Sequence, residues 1–352
     1  MIYQYVDTWK KGDAIGNEVR AISDYLKKNG IDNLVVKCNP KTYQEGAIHF
    51  DEFEKKVKKD DLLLFHFAWF VPENLWKKFK AFPCKKIMIY HNVTPAHFFE
   101  PYDSRESKTS INARQQLQSG AKFFDAAWGV SQYNADELVS LGYKNVSVVP
   151  LLISFSDYKQ EPNRALIEQL KDGYTNILFV GRMVPNKKFE DIIAAFAEYK
   201  KLNAKSRLIL VGNDDMKPYV NKLHNFCRDQ EIPDVHFRAH CPFADILAYY
   251  SSADLFLCMS EHEGFCVPVV EAMVFDVPVM AYDACAVPDT MGDGGICFTD
   301  KDPAKVASIM HALLSDPKMI EEMRENQKKV IERFGSEKIL SEMITKLKAF
   351  QA

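Results

Sequence analysis

Short apolar runs without in-and-out alternation recur along this chain, separated by longer stretches whose apolar residues come every three or four positions. The runs read as strands buried on both faces, and the longer stretches as amphipathic helices. Strands are predicted at 2–6, 33–37, 62–67, 87–90, 126–130 and 146–150, then at 176–180, 207–212, 235–239 and 255–259. Helices are predicted at 17–28, 164–171, 189–201 and 269–275, the last with Pro268 at its start, and over most of the chain beyond Pro303. Strands alternating with helices indicate a parallel sheet with crossover helices, an α/β fold. A region of proline and polar residues, 154–173, is expected to link two such domains, 1–153 and 174–335. After a break at Arg333-Phe334-Gly335, the last helix carries Ile339, Leu340, Met343, Ile344 and Leu347 as a core-facing stripe.

At 352 residues the chain is long enough for two domains, and its 47% apolar and 26% charged content is that of a globular protein. A net charge of -3 argues against nucleic acid as the main partner. The first residues lack the basic, apolar and small-residue regions of a secretory signal, and no apolar run has bilayer-spanning length. A cytoplasmic protein is expected. The eight cysteines are scattered, with neither a Cys-x-x-Cys pair nor zinc-like histidine spacing, and are expected to be reduced.

The chemistry concentrates after the strand predicted at 255–259. Ser260-Glu261-His262-Glu263-Gly264-Phe265-Cys266-Val267-Pro268-Val269-Val270-Glu271 is a polar loop with one glycine that runs into a helix, with Glu271 expected in the first turn. Strand, short loop and helix N-terminus is where an open α/β sheet receives an anionic ligand. Two carboxylates there suit hydroxyls flanking a bound phosphate, those of a sugar and a ribose. Glu271 alone could complement the helix dipole, but Glu263, in the loop, has no helix to stabilise. Other strand ends carry candidates too. Gly181-Arg182-Met183-Val184-Pro185-Asn186-Lys187-Lys188 places cations after a strand, either for a diphosphate or as a solvated surface cluster. His91 follows the strand at 87–90, and His66 ends the strand before it. Gly12, Asp13 and Gly16 lie in the first strand-to-helix turn.

With its flanks, the stretch from Glu263 to Glu271 resembles the E-x7-E signature of the retaining glycosyltransferases of family 4, which have the GT-B fold. The resemblance continues through Asp276-Val277-Pro278-Val279, expected as the next strand, Ala286-Val287-Pro288-Asp289 and Gly292-Asp293-Gly294-Gly295. It is strong from 176 to about 302 and thinner over the first 150 residues. It implies two Rossmann-like domains facing a central cleft, with helix 336–352 crossing back to the first. It also implies transfer of a sugar from a nucleotide-diphosphate sugar to an acceptor hydroxyl, with retention, in bacterial or archaeal surface glycan or glycolipid synthesis. Carried over residue by residue, Glu263 binds the donor sugar with the amides of Gly264, Phe265, Cys266 and Val267, and Glu271 binds ribose. Arg182 and Lys187 bind the diphosphate, although Lys188 stands where many members have glycine and competes for that role. His91 lies near the donor's reactive carbon, and Gly16 and Asp13 face donor and acceptor. No metal or other cofactor is expected, because Arg182, Lys187 and the helix start at Pro268 supply the positive field a departing diphosphate needs.

Alternatives stay open in three places. Trp76 to Lys86 interleaves lysines with aromatics, either as a contact with anionic membrane or as an ordinary amphipathic helix with Leu75, Phe79 and Phe82 in the core. Asp300-Lys301-Asp302 has the D-x-D form of metal-dependent transferases of another fold, but it precedes Pro303 and a helix, where capping explains it. The function could instead be that of a nucleotide-sugar epimerase, or of a catalytically inactive nucleotide-sugar-binding subunit. A nicotinamide dehydrogenase is disfavoured, since no Gly-x-Gly-x-x-Gly follows a strand.

Overall fold

The computed structural model describes residues 1–7, 9, 14–38 and 47–351. They form two compact units, the first from Met1–Ala96, Lys108–Ser154 and Phe334–Ala352, the second from His97–Ser107 and Phe155–Arg333.

The first unit is built on a parallel sheet of β1 (Ile2–Tyr5), β2 (Asn33–Lys37), β3 (Ala47–His49), β4 (Leu62–Phe67), β5 (Lys85–Tyr90), β6 (Ala126–Gly129) and β7 (Val146–Val148). Their spatial order is β3-β2-β1-β4-β5-β6-β7. The inner strands β1, β4 and β6 are buried along their whole length, and in β1 and β4 only Gln4 and His66 interrupt the apolar run. An aromatic cluster of Tyr3, Tyr5, Phe50, Phe53, Phe65, Trp76 and Phe79 fills one side. The last helix, Ser336–Gln351, belongs to this unit; Ser336 Oγ donates to the Ile153 carbonyl (2.7 Å), and all five residues of its apolar stripe are buried.

The second unit holds β8 (Thr175–Val180), β9 (Ser206–Val211), β10 (Val235–Arg238), β11 (Leu255–Cys258), β12 (Val279–Tyr282) and β13 (Ile296–Phe298), also parallel, in the order β10-β9-β8-β11-β12-β13. In each sheet the strand order reverses once, between β1 and β4 and between β8 and β11. Loops leaving neighbouring strands at such a point diverge to opposite faces, and the crevice at the carboxyl ends receives ligands.

Two segments pack otherwise than the sequence suggests. Residues 97–107, expected within the first domain, join the second unit: Lys222 Nζ donates to the Tyr102 hydroxyl (2.8 Å), whose ring lies 5.1 Å from that of Tyr219. All of the expected linker after Ser154 is also part of that unit. Asn163 caps helix Arg164–Leu170, donates its amide to the Ala244 carbonyl (2.9 Å) and donates its side-chain nitrogen to Asp245 (2.8 Å).

The basic aromatic segment forms helix Glu73–Ala81, whose Trp76 and Phe79 are 1% and 0% exposed and therefore already covered by protein. Lys80 lies over the Trp76 and Phe123 rings, Lys78 pairs with Glu54 (2.7 Å), and Lys86 turns inward to the Phe82 and Cys84 carbonyls. Among the described residues, no helix is long and apolar enough to cross a membrane.

Candidate active site

At the switch point of the second sheet, the loop after β8 meets the loop after β11. Asn186 ties them: its Nδ2 donates to the His262 carbonyl (3.0 Å), and its own carbonyl accepts from the Glu261 amide (2.9 Å). The next residue, Lys187, sets its ammonium on the Glu263 carboxylate. Burial works against the Lys187 charge, but Glu263 outweighs it and holds the lysine above its ordinary value. Lys188 adopts a left-handed conformation (φ 53°) at the start of helix Phe189–Leu202 and points elsewhere, to Glu261 (3.4 Å). The two adjacent lysines, which the sequence leaves undecided, thus serve different carboxylates.

Glu261 also accepts from Lys301 (2.9 Å), which donates further to Asp191 (2.8 Å) and to the Met259 carbonyl (3.0 Å). Burial pushes the Glu261 carboxyl up, yet Lys301 and Lys188 bring it below its ordinary value. The acidic residues flanking Lys301 act locally: Asp302 caps helix Pro303–Leu314 by accepting from the Lys305 amide, and Asp300 pairs with the Lys305 side chain (2.6 Å). Arg182 is exposed on the loop after β8. That loop is crowded from behind, because Gly212 (φ +151°) lies against the Gly181 carbonyl, where a Cβ would come within 1.9 Å of the oxygen.

Cys266 is left-handed (φ 74°) and launches helix Val267–Val274, with Pro268 in its first turn. The helix therefore begins at Val267, ahead of the Pro268 expected at its start, and Glu271 lies beyond the first turn, not within it. Its surroundings are aromatic: Tyr158 and Tyr250 donate to its two carboxylate oxygens (2.8 and 2.7 Å). Burial raises its pKa, and the two hydroxyls pull it back only in part. Phe265 and Cys266 are buried, while Gly264 and Val267 are partly exposed at the helix start.

The switch point of the first sheet assembles a second cluster. Gln4 comes from β1, Glu18 from the following helix Ala14–Lys28, His66 from β4 and His91 from the turn after β5. His66 Nδ1 lies 3.0 Å from His91 Nε2, and Glu18 Oε2 lies 3.5 and 3.4 Å from these two atoms. The rings are nearly parallel, 13° apart. Burial lowers His66 to about 3 and His91 to about 4, so both are neutral at physiological pH, and it raises the Glu18 carboxyl. Gly16 is not in a turn: the helix begins at Ala14, and the Gly16 carbonyl accepts from Trp9 Nε1 (3.0 Å). Asp13 lies outside the described residues.

Of the expected residues, Lys187 and Glu263 touch directly. Sequence reasoning missed Glu18, Gln4, Tyr158 and Tyr250. Glu18 carried a usable signal, since it heads the apolar stripe continued by Ile22 and Leu26, where a carboxylate needs a reason. The tyrosines carried none.

Residues 163–330 match the family described as glycosyl transferases group 1. Alpha-monoglucosyldiacylglycerol synthase of Streptococcus pneumoniae is 28% identical over 171 residues, covering 47% of this chain and 38% of that protein. D-inositol 3-phosphate glycosyltransferase of Corynebacterium kroppenstedtii is 32% identical over 170 residues, covering 46% of this chain and 37% of that protein. The aligned part thus spans less than two fifths of either relative. Anabaena HepE, solved in complex with UDP-glucose, shares the fold at a TM-score of 0.76 and 18% identity, over 99% of both chains. Residues 163–330 thus match glycosyl transferases group 1 in sequence, and the two parallel α/β units share the GT-B fold.

Proposed function

We propose that the chain is a retaining glycosyltransferase that moves a sugar from a nucleotide-diphosphate sugar to an acceptor hydroxyl in glycan or glycolipid synthesis. The observation carrying this reading is the junction at the second switch point, where Lys187 on one loop meets Glu263 on the next, and the same loop leads into a helix start and Glu271. A departing diphosphate needs positive charge. Arg182, Lys187 and the helix N-terminus at Val267 are all available to supply it, so transfer should not require Mg²⁺ or Mn²⁺. Among the described residues Lys187 is held by Glu263 alone; a diphosphate offers it a second anionic partner.

Glu271, with its two tyrosines, is assigned to ribose hydroxyls, and Glu263 to the donor sugar, with the backbone of Gly264 to Val267 at the helix start. His91 is assigned to the reactive carbon and Gly16 to the ligand-facing side of its unit, both from the resemblance. UDP-glucose is the first donor to try, because HepE was solved with it, and a lipid-linked hydroxyl is the first acceptor, because one relative is a glucosyldiacylglycerol synthase. Work at the cytoplasmic membrane face would then be electrostatic, through Lys77, Lys78 and Lys80, since the aromatics of that helix are buried. The test is a thermal-shift screen of nucleotide sugars, followed by product analysis with the best ligand. The reading expects one nucleotide sugar to raise the melting temperature and to yield product with the donor's anomeric configuration. Donor conversion without acceptor would point to an epimerase; binding without turnover would point to an inactive subunit.

A further inference from the structure

Hydrogen bonds around Glu18, His66 and His91 determine where the protons sit. Gln4 Nε2 donates to the Val19 carbonyl (3.3 Å), which turns Gln4 Oε1 toward His66 Nε2 (3.3 Å). An amide oxygen only accepts, so His66 carries its proton on Nε2 and presents a lone pair at Nδ1. That lone pair faces His91 Nε2 and Glu18 Oε2. The other Glu18 oxygen accepts from the Leu152 amide (3.4 Å), whereas Oε2 is buried without a hydrogen-bond partner among the described residues. One proton on His91 Nε2 cannot serve both His66 Nδ1 and Glu18 Oε2. With Glu18 ionised, three potential ligand atoms therefore converge where at most one hydrogen, that on His91 Nε2, is available.

We propose that Glu18 Oε2, His66 Nδ1 and His91 Nε2 bind one divalent transition-metal ion, zinc being the best match. The three atoms are 3.0 to 3.5 Å apart. Zinc–ligand bonds of about 2.0–2.2 Å in a tetrahedron place ligand atoms roughly 3.3 Å from one another, so one face of the tetrahedron is already laid out. Two imidazoles and a carboxylate are a recognised ligand set for such ions. The surrounding groups have the form of supporting partners: the Gln4 oxygen fixes the His66 tautomer, and the Leu152 amide fixes the carboxylate. The ion's charge compensates a buried carboxylate that otherwise has no cation beside it among the described residues. Ligation through Nε2 leaves the His91 proton on Nδ1, which has no hydrogen-bond partner among the described residues, a cost the metal bonds must exceed. By holding Nε2 the ion fixes the His91 ring, a positioning role separate from leaving-group chemistry. The proposal does not rest on glycosyl transfer, because binding is read directly.

The test uses the full chain stripped with a chelator, titrated with Zn²⁺ by calorimetry and with Co²⁺ by visible spectroscopy. One equivalent of each should bind, competing for one site. Glu18→Gln and His66→Gln should each weaken binding by at least about tenfold. Cys258, Glu263 and Cys266 also lie close enough together to hold a metal, so Cys258→Ala is the control and should leave the binding unchanged. X-ray absorption on the zinc-loaded parent needs no variant and should show nitrogen and oxygen ligands only. Absence of tight binding would mean that a proton on Glu18 completes the cluster; sulfur ligands, or binding lost in Cys258→Ala, would place the ion elsewhere. Either result overturns the proposal.

Discussion

The Lys187 ammonium and the Glu263 carboxylate form an ion pair whose side chains are 16% and 8% exposed, joining the loops after β8 and β11. Removing one partner leaves the other charged and poorly solvated. Lys187→Ala should therefore cost about 3–5 kcal/mol of stability in urea denaturation. Combining Lys187→Met with Glu263→Gln should cost clearly less than the two single changes added together, since neither charge is then left alone. Additive effects would mean that the pair is not coupled in solution.

Glu271 gives a prediction with a sign. Burial raises its folded-state pKa above the ordinary 4.5, so the stability this group contributes is fully present below pH 4.5 and is lost as pH rises through the folded value. Glu271→Gln keeps the shape and a hydrogen-bond partner for each tyrosine but cannot ionise. Relative to the parent, its melting temperature should improve between about pH 4 and about pH 7. An improvement toward acid would show that the tyrosines stabilise the carboxylate more than burial penalises it.

The apolar runs were legible without a structure because strands buried on both faces are predominantly apolar, and β2 and β4 begin and end at the expected residues. β3 and β13 were not, being three-residue strands at sheet edges with too little pattern to detect. Residues 97–107 could not be assigned because side-chain partners such as Lys222, far away in sequence, decide where they pack. The early start of helix Val267–Val274 depends on a left-handed Cys266, a conformation sequence alone would assign to glycine. Glu18, His66 and His91 meet only because β1 lies beside β4, and strand order is not written in any one segment. The pairing of Glu263 with Lys187 was foreshadowed, since both had been assigned to one ligand.

Gly212 supports the Arg182 loop through a contact that no side chain permits. Gly212→Ala would drive a methyl group into the Gly181 carbonyl in a strained backbone region, and the loop must shift. A loss of about 1–3 kcal/mol is expected, with weaker nucleotide binding, in calorimetry on the refolded variant. Unchanged binding would separate this loop from the nucleotide.

Membrane contact, if made through helix Glu73–Ala81, should depend on charge alone because Trp76 and Phe79 are unavailable. Co-sedimentation should occur with anionic but not neutral vesicles, fall with added salt, and weaken in Lys77→Glu combined with Lys78→Glu. Equal binding by parent and variant would mean that these lysines are merely solvated.

The central claim is that the second unit's loops bind a nucleotide-diphosphate sugar and divide its recognition. Calorimetry with the free nucleoside diphosphate, beside steady-state kinetics with the intact donor, tests it on Glu263→Ala and Glu271→Ala at a temperature where both variants are shown to be folded. Glu271→Ala should weaken binding of the free diphosphate, whereas Glu263→Ala should leave it nearly intact and lose at least about a hundredfold in kcat. Failure of the parent to bind any nucleoside diphosphate, or equal impairment of that binding in both variants, would contradict the account.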